Sequence, residues 1–193
     1  MRSLYNLIIK RRSVRRFFQK KISSKILERI VNAGRLAPSA GNLQPIEYIV
    51  VNDKIICEKI FGCLKWAAYL NNWVPEEKER PTAYIVLIVN KNIKKENFEF
   101  DCGAAAENIC LAALSFGIGS CILTSINRDE IGKILKVPSH YLINSVIALG
   151  YPKEKVVIED IGSGKDIKYY RDRNGIHHVP KRKLENIIHF NKF

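Results

Sequence analysis

Three polar residues near the N-terminus, Arg11, Ser13 and Arg15, occupy alternate positions of the chain. In an extended segment alternate side chains share one face, so two guanidinium groups and one hydroxyl would converge there. Guanidinium groups are permanently charged and donate several hydrogen bonds in one plane, which suits a phosphate group. The spacing therefore predicts a phosphate site, although cations at this place could also simply stabilise the C-terminal end of a preceding helix.

The segment from Pro38 to Pro45 combines small residues with two carboxamides, Asn42 and Gln44. Small side chains let a flat ligand approach the backbone, and carboxamides offer donors and acceptors to the polar edge of a ring. A turn between a helix and a strand would use similar residue types. A bare turn does not explain two carboxamides between two prolines. Together the two segments could hold the ring and the phosphate of flavin mononucleotide (FMN).

The other nucleophilic and metal-ligating residue types form no recognisable constellation. His177 and His178 are neighbours, and in a strand their side chains would point to opposite faces. The five cysteines are odd in number and no pair has CxxC spacing. Reduced thiols, packed as small hydrophobic groups in a cytoplasmic protein and holding no metal, are therefore expected.

Composition indicates one globular domain over residues 1–193, since 47% of the residues are hydrophobic and 26% are charged. No apolar run approaches the roughly 18 residues of a spanning helix, and the N-terminus does not resemble a signal peptide, so no membrane association is expected. The net charge of +13 raises the alternative of a basic nucleic-acid-binding module. Most lysines are interleaved with acids, and the denser clusters at residues 10–21 and 181–183 could equally serve a small phosphorylated ligand. No specific nucleic-acid partner is therefore expected.

Apolar spacing and capping residues predict five helices. They cover residues 3–12, 24–37, 54–64, 101–116 and 128–136. Ser23, Asp53 and Asn127 are the expected N-caps, and Gly117 is expected to stop the fourth helix.

Four strands are predicted at residues 46–51, 83–89, 120–126 and 143–149. The second is almost wholly apolar, which is typical of a central strand covered on both faces. Helices and strands thus alternate in a layered α+β domain, with a loop or short helix at residues 71–81.

The C-terminal part has a different pattern. Asn174-Gly175 predicts a two-residue hairpin turn between residues 168–170 and 176–179. Residues 184–190 are apolar at intervals and predict a last helix or strand. A projecting tail of this kind often needs a partner subunit to cover it.

The chain resembles the nitroreductase family of FMN enzymes. The resemblance rests on Arg11-Arg12-Ser13-Val14-Arg15 and on the segment from Pro38 to Pro45. Weaker matches at residues 101–105, 117–121, 148–152 and 180–183 extend it over nearly the whole chain. It implies an α+β fold with a central, mainly antiparallel sheet flanked by helices. It also implies that the extension at residues 152–193 packs on a partner subunit and contributes to the cofactor site.

The resemblance assigns expected roles to single residues around FMN. Arg11 and Ser13 would hold the phosphate. Arg12 is counted among the cofactor-binding residues. One or more of the tail cations Lys181, Arg182 and Lys183 would help, and which of them points inward is left open. Arg15 would lie beside N1 and the C2 carbonyl of the flavin, where a fixed cation stabilises the reduced ring.

The remaining expected contacts come from two other segments. Pro38, Ser39 and Ala40 would come from the partner subunit of a homodimer, with Asn42 and Gln44 close to the ring. Backbone N–H groups of Thr124 and Ser125 would align with the family's hydrogen bond to flavin N5. Thr124 stands where the best-known nitroreductases often carry an acidic residue.

The implied activity is an NAD(P)H-dependent oxidoreductase of the ping-pong type. NADH or NADPH would reduce FMN and leave, and a nitroaromatic or quinone would then take its place; no side chain is expected to act as acid or base. The same pocket could instead serve dehalogenation or flavin breakdown. Residues 66–80 match the family poorly, and Trp66, Tyr69 and Trp73 could either stack on a substrate or fill the core.

Overall fold

The computed structural model describes residues 4–193, so the predicted helix start at Ser3 lies outside the described residues. The helices are α1 (Leu4–Lys10), α2 (Ser24–Arg35), α3 (Lys54–Gly62), α4 (Glu99–Ser115) and α5 (Arg128–Leu135). The three expected N-caps are confirmed, because Ser23, Asp53 and Asn127 each accept a hydrogen bond from the backbone N–H three residues on. Gly117 follows α4 with φ +72°, a left-handed conformation that glycine adopts easily.

The strands form two sheets. They are β1 (Phe17–Phe18), β2 (Ile46–Val51), β3 (Ala83–Asn90), β4 (Gly119–Leu123), β5 (Tyr141–Pro152), β6 (Val156–Ile161), β7 (Tyr170–Arg171) and β8 (His177–Arg182). In the main sheet β2 pairs with β3, β3 with β5 and β5 with β4, while β1 pairs with the end of β5. All of these pairs are antiparallel, as predicted. In the small sheet β8 lies between β6, which is parallel to it, and β7, which is antiparallel.

Strand β3 is the centre of the core, as its apolar sequence predicts. Tyr84, Val86 and Ile88 face one cluster, which also contains residues of α3 and α5. Ile85 and Leu87 face a second cluster, built with α2 and α4. Because side chains alternate along a strand, one continuous apolar run supplies both clusters. The domain therefore has three layers, with helices on both faces of the sheet.

Two strand predictions need correction at their ends. Strand β4 stops at Leu123 instead of residue 126, because Ile126 forms an isolated bridge to Leu64 and the carbonyl of Ser125 accepts from Lys65 N–H at 3.0 Å. Strand β5 runs on to Pro152, where it pairs with β1. The short strand β1 and the edge strand β6 were not predicted, since two residues carry no detectable alternation and β6 has a polar, half-exposed face.

The C-terminal predictions are partly wrong. A hairpin does join β7 and β8, but Asn174 lacks the positive φ of the predicted turn. The Asp172 carboxylate accepts from the N–H groups of Asn174 and Ile176 and so shapes a longer loop. Over residues 184–190 only a single 3-10 turn forms at Leu184–Asn186. Phe190 is 78% exposed, so no apolar burial offsets the cost of ordering a helix there.

The predictions about thiols, metals and membrane spans concern the cysteines, the metal-ligating side chains and the lengths of the helices in residues 4–193. The five cysteines are buried with free thiols, and burial raises the pKa of Cys57 to about 11. Among residues 4–193 no cluster of three or more metal-ligating side chains occurs. Within the same range no helix combines the length and the apolarity needed to cross a membrane.

Gly150 lets the segment after α1 lie directly on the sheet. A Cβ atom at this position would stand 2.7 Å from the ring of Phe17, which is fully buried. We expect Gly150→Ala to lower the free energy of unfolding by about 2 kcal/mol, because the packed ring has to move. Gly62→Ala is the matched control, since nothing lies within 4 Å of the place that its added methyl group would take. Urea denaturation of both variants measures the difference; equal stabilities would contradict this close packing.

Candidate active site

The residues between α1 and β1 form an extended segment, as their alternation predicts. Ser13 bridges Ser120 of β4 in a parallel manner, and Val14 N–H donates to the Ser120 carbonyl at 2.9 Å. Val14 is only 7% exposed and points into the protein. Arg11, Ser13 and Arg15 therefore share the opposite side of the segment.

These three side chains line one cavity of about 430 Å³. Its polar part comes from the 11–15 segment and β8, and its apolar part comes from α1, β6 and β8. The lining residues are Ile8, Ile9, Arg11, Arg12, Ser13, Arg15, Ile158, Tyr169, His177, Val179 and Lys181. A cavity with a cationic end and an apolar wall suits a ligand that is both anionic and aromatic.

The arginines of this cavity differ in their partners. Arg11 forms an ion pair of 2.9 Å with Glu107 of α4. Arg12 donates to the backbone carbonyls of Ile9 and Arg11 at 2.7 and 2.6 Å. The guanidinium of Arg15 contacts the neutral ring nitrogen of His177 at 3.2 Å and lies 5.0 Å from the ring centre of Tyr169. Arg15 thus presents its charge to the cavity beside uncharged groups.

The alternation of side chains along β8 determines which of the tail cations lines the cavity. His177, Val179 and Lys181 alternate along β8, and all three line the cavity. Arg182 has the opposite orientation along the strand, and Lys183 follows the strand end. Of the three tail cations, Lys181 is therefore the one that the fold places with Arg11 and Ser13.

The second predicted segment has an unusual backbone. Gly41, Asn42 and Gln44 all adopt left-handed conformations, with φ values of +61°, +53° and +51°. Such conformations cost a non-glycine residue about 1 kcal/mol or more and cluster at functional sites. The Ser39 hydroxyl accepts from Gln44 N–H at 3.0 Å and closes the loop. The loop is thus held in one shape without its carboxamides being buried.

A buried ion pair fixes this loop to α4. Asp101 is 1% exposed, accepts from Ala40 N–H at 3.1 Å and pairs with Lys94 at 2.6 Å. Burial alone would raise the pKa of Asp101, but the hydrogen bonds from Lys94 and Ala40 outweigh it and lower that pKa overall. Asp101 is therefore ionised at neutral pH and holds the start of the loop in place.

Within one chain the two predicted segments do not meet in one cavity. Pro38, Ser39 and Gln44 line a separate cavity of about 120 Å³. Thr124 and Ser125 follow β4. The carbonyl of Thr124 accepts a hydrogen bond from the Arg128 guanidinium, and the carbonyl of Ser125 accepts one from the backbone N–H of Lys65. A shared ligand site would require residues 38–44 from a second copy of the chain.

The three aromatic residues of the 66–80 stretch differ in their surroundings, and Trp73 packs partly buried against the core with the guanidinium of Arg171 4.3 Å from its ring centre. Trp66 is 6% exposed and stacks on Phe61, so it fills the core. Tyr69 is 50% exposed, and its ring lies 4.9 Å from that of Tyr169. Tyr69 therefore contacts an aromatic residue that lines the cavity, whereas Trp66 is part of the core.

Three residues in or beside the cavity were not predicted from the sequence. Tyr169 and His177 line the cavity, and Glu154, whose side chain is fully buried, accepts from the backbone N–H of Arg15 and pairs with Arg171 at 2.7 Å. The alternation of His177 with Lys181 along a strand was a usable signal. No pattern in the sequence marked Glu154 or Tyr169, because their positions depend on the path of the C-terminal tail.

The donor set fits FMN. Arg11, Ser13 and Lys181 supply two cations and a hydroxyl that suit a phosphate, and Arg15 supplies a separate cation whose side chain pairs with no carboxylate among residues 4–193. The apolar side chains of α1 and β6 provide a surface for the less polar part of the ring. A neutral ligand would leave the charges of Arg15 and Lys181 uncompensated within this cavity, whose lining contains no acidic residue from the described part of the chain, and like charges held close together repel each other.

Comparisons with known proteins show which family the chain resembles over most of its length. The sequence profile described as "Nitroreductase family" matches residues 8–151. A protein of Archaeoglobus fulgidus, assigned by name as an NADH dehydrogenase/NAD(P)H nitroreductase, is 35% identical over 162 residues, which is 80% of this chain and 88% of that protein. An iodotyrosine deiodinase of Thermotoga neapolitana is 26% identical over 172 residues, 80% of this chain and 91% of that protein.

Solved structures have the same fold. The FMN-dependent nitroreductase of Clostridium difficile superposes with a TM-score of 0.69 at 28% identity, covering 97% of this chain and 98% of that one. The predicted α+β fold and the predicted class of a nitroreductase-like enzyme are therefore confirmed. On the match over residues 8–151 and the relative at 35% identity, the chain belongs to the nitroreductase family.

Proposed function

We propose that this protein is an FMN-dependent oxidoreductase that takes hydride from NADH or NADPH and passes it to a small acceptor such as a nitroaromatic or a quinone. The observation that supports this most is the single cavity lined by Arg11, Ser13, Arg15 and Lys181. The two cations Arg11 and Lys181 and the Ser13 hydroxyl suit a phosphate, and Arg15 forms no ion pair with a carboxylate among residues 4–193, so that its charge remains available to a flavin ring.

The phosphate end of the cofactor is assigned to Arg11, Ser13 and Lys181. Arg11 is paired with Glu107, whose side chain is 42% exposed, so the pair is weak and can open. Arg12 is assigned a supporting role at the edge, because its guanidinium is already engaged by backbone carbonyls. Arg182 and Lys183 add long-range attraction for an anion.

The ring end is assigned to Arg15. FMN, when bound, supplies two-electron chemistry at N5 and accumulates negative charge near N1 and O2. A fixed guanidinium at that place would stabilise this charge. Thr124 and Ser125 are proposed to face N5 through the backbone. No acid–base side chain is assigned, since the cofactor carries the reactivity.

The complete site is proposed to form in a homodimer. Residues Pro38, Ser39, Ala40, Asn42 and Gln44 are assigned to the cavity of the partner subunit. Exposed apolar side chains on α1 and the tail support this, with Leu4 67%, Leu184 68% and Phe190 78% exposed. Large apolar side chains that are exposed together often mark a surface that a partner covers. Residues 152–193 would then contribute to both the cofactor site and the dimer.

The alternative of a nucleic-acid-binding module gains little support. In the dense cluster at residues 10–21, Arg16 is bound by the buried carboxylate of Glu79. Pairing lowers the number of phosphates that a basic surface can neutralise.

The proposal is tested by anaerobic addition of NADH and then NADPH to the purified protein. Bleaching of flavin absorption, followed by reoxidation with a nitroaromatic or quinone, is the expected result. An oxidised spectrum that neither donor changes would overturn the assigned activity. Reoxidation only by a halogenated tyrosine would favour the dehalogenation that the Thermotoga relative's name indicates.

A further inference from the structure

His177 is a fully buried histidine beside the guanidinium of Arg15. It lies on β8 with its Nε2 3.2 Å from Nη1 of Arg15. A guanidinium group only donates hydrogen bonds, so Nε2 accepts and the ring proton resides on Nδ1. Nδ1 is buried, and no hydrogen-bond partner for it occurs among residues 4–193. The ring is thus oriented by its contact with Arg15.

Burial and the surrounding cations keep the His177 ring neutral. Arg15 and Arg171 face it from the 11–15 segment and β7, His178 adjoins it, and the buried carboxylate of Glu154 is already engaged by Arg171. Burial, followed by the two arginines, lowers the pKa of His177 to about 4. An imidazolium would place a third cation between two others.

Arg15 differs from neighbouring arginines in what orients its side chain. The side chains of Arg16 and Arg171 bind carboxylates at 2.5 and 2.7 Å, which cancel much of their charge. Arg15 is held by the lone pair of His177 and by the ring face of Tyr169, whose own ring lies 5.2 Å from that of His177. A neutral acceptor fixes a cation in place and leaves its field intact.

We propose that His177 is a positioning residue that holds the Arg15 guanidinium toward the flavin and leaves its full positive charge available to the reduced ring. This inference rests on the proposed function, since it assumes that FMN occupies this cavity. It assigns His177 no contact with a reacting atom. Its effect is a difference between two redox states: it favours reduced over oxidised FMN.

The test compares His177→Phe with His177→Gln. Phenylalanine keeps a ring but removes the acceptor, whereas the glutamine amide oxygen can reach the place of Nε2. In His177→Phe the ratio of the dissociation constants of oxidised and reduced FMN is expected to fall about tenfold, since one hydrogen bond to a charged group is lost. For a two-electron couple this equals a midpoint potential about 30 mV more negative. His177→Gln should keep most of the wild-type ratio.

The redox ratio separates positioning from simple structural support. A merely structural role would weaken both redox states equally and leave the ratio unchanged. His140→Phe is the matched control, because His140 lies outside the lining of this cavity. If the wild type binds FMN and His177→Phe has the same ratio of dissociation constants as the wild type, this inference is overturned and the proposed function is not. A wild type that binds no FMN overturns the proposed function as well.

A measurement on the unmodified protein guards against a variant that does not fold. Nitrogen NMR of histidine-labelled wild type should show one ring that stays neutral and Nδ1-protonated from pH 7 down to about pH 5. A nuclear Overhauser contact between this ring and the ring of Tyr169 assigns the signal in the wild type, because the two ring centres lie 5.2 Å apart. An imidazolium at residue 177 at pH 6 would overturn the proposal whatever the stability of the variants.

Discussion

Replacing Arg15 with alanine is expected to slow flavin reduction by NADH about 100-fold and to weaken FMN binding about tenfold. The larger effect on the rate follows because negative charge near N1 is greatest when hydride has arrived, and one preorganised donor at such a place contributes about 3 kcal/mol. Anaerobic stopped-flow absorbance at saturating FMN measures the rate, and fluorescence titration measures the binding.

Arg173→Ala is the matched control for this experiment. Arg173 is an exposed cation in the loop between β7 and β8 and does not line the cavity. Its removal changes the net charge by the same amount, so it reports any general electrostatic effect. Wild-type rates in Arg15→Ala, or equal losses in both variants, would sink the role assigned to Arg15.

Replacing Glu79 with glutamine is expected to lower the free energy of unfolding by about 3 kcal/mol. Glu79 is 3% exposed and binds Arg16 at 2.5 Å and Lys153 at 2.9 Å. The variant leaves two cations facing a neutral group. Both cations are partly exposed, which places the loss at the low end for buried pairs. For a domain of this size the melting temperature should fall by roughly 10 °C in calorimetry.

The control for Glu79 is a pair three residues away. Glu76 binds Lys78 at 3.0 Å, but their side chains are 66% and 72% exposed. Glu76→Gln should therefore leave the free energy of unfolding almost unchanged, because water and salt screen an exposed ion pair. Equal effects of the two substitutions would show that the burial of Glu79 confers no special stability.

Acid titration gives a second view of Glu79. The hydrogen bond from Arg16, more than any other contact, lowers the pKa of Glu79 from 4.5 to about 2. The unfolded chain takes up this proton below about pH 4.5, whereas the folded protein does so only near pH 2. The contribution of Glu79 is thus complete above pH 4.5 and is lost as the pH falls. The stabilities of wild type and Glu79→Gln should converge over that interval.

Local patterns account for the parts of the fold and site that the sequence predicted correctly. The apolar run of β3 and the caps Ser23, Asp53 and Asn127 depend on neighbours within a few residues. The convergence of Arg11, Ser13 and Arg15 also follows from alternation alone. Family resemblance then supplied the expected fold, which the comparisons confirm.

Long-range contacts account for what could not be predicted. Glu79 lies in a polar stretch, and its burial depends on Arg16, 63 residues away in the chain. His177 meets Arg15 across 162 residues. The sequence alone did not show which of the three tail cations faces the cavity, because this depends on which side chains of β8 point to that side. The apolar residues of the tail predicted an element at 184–190, but within one chain they stay exposed.

The most direct test of the account compares the affinities of FMN and riboflavin for protein freed of bound flavin. The two ligands differ only in the phosphate, which Arg11, Ser13 and Lys181 are assigned to bind. FMN is expected to bind about 100-fold more tightly, as charge-assisted hydrogen bonds to a phosphate would produce. Equal affinities, or no binding of either ligand, would contradict the assignment of this cavity to FMN.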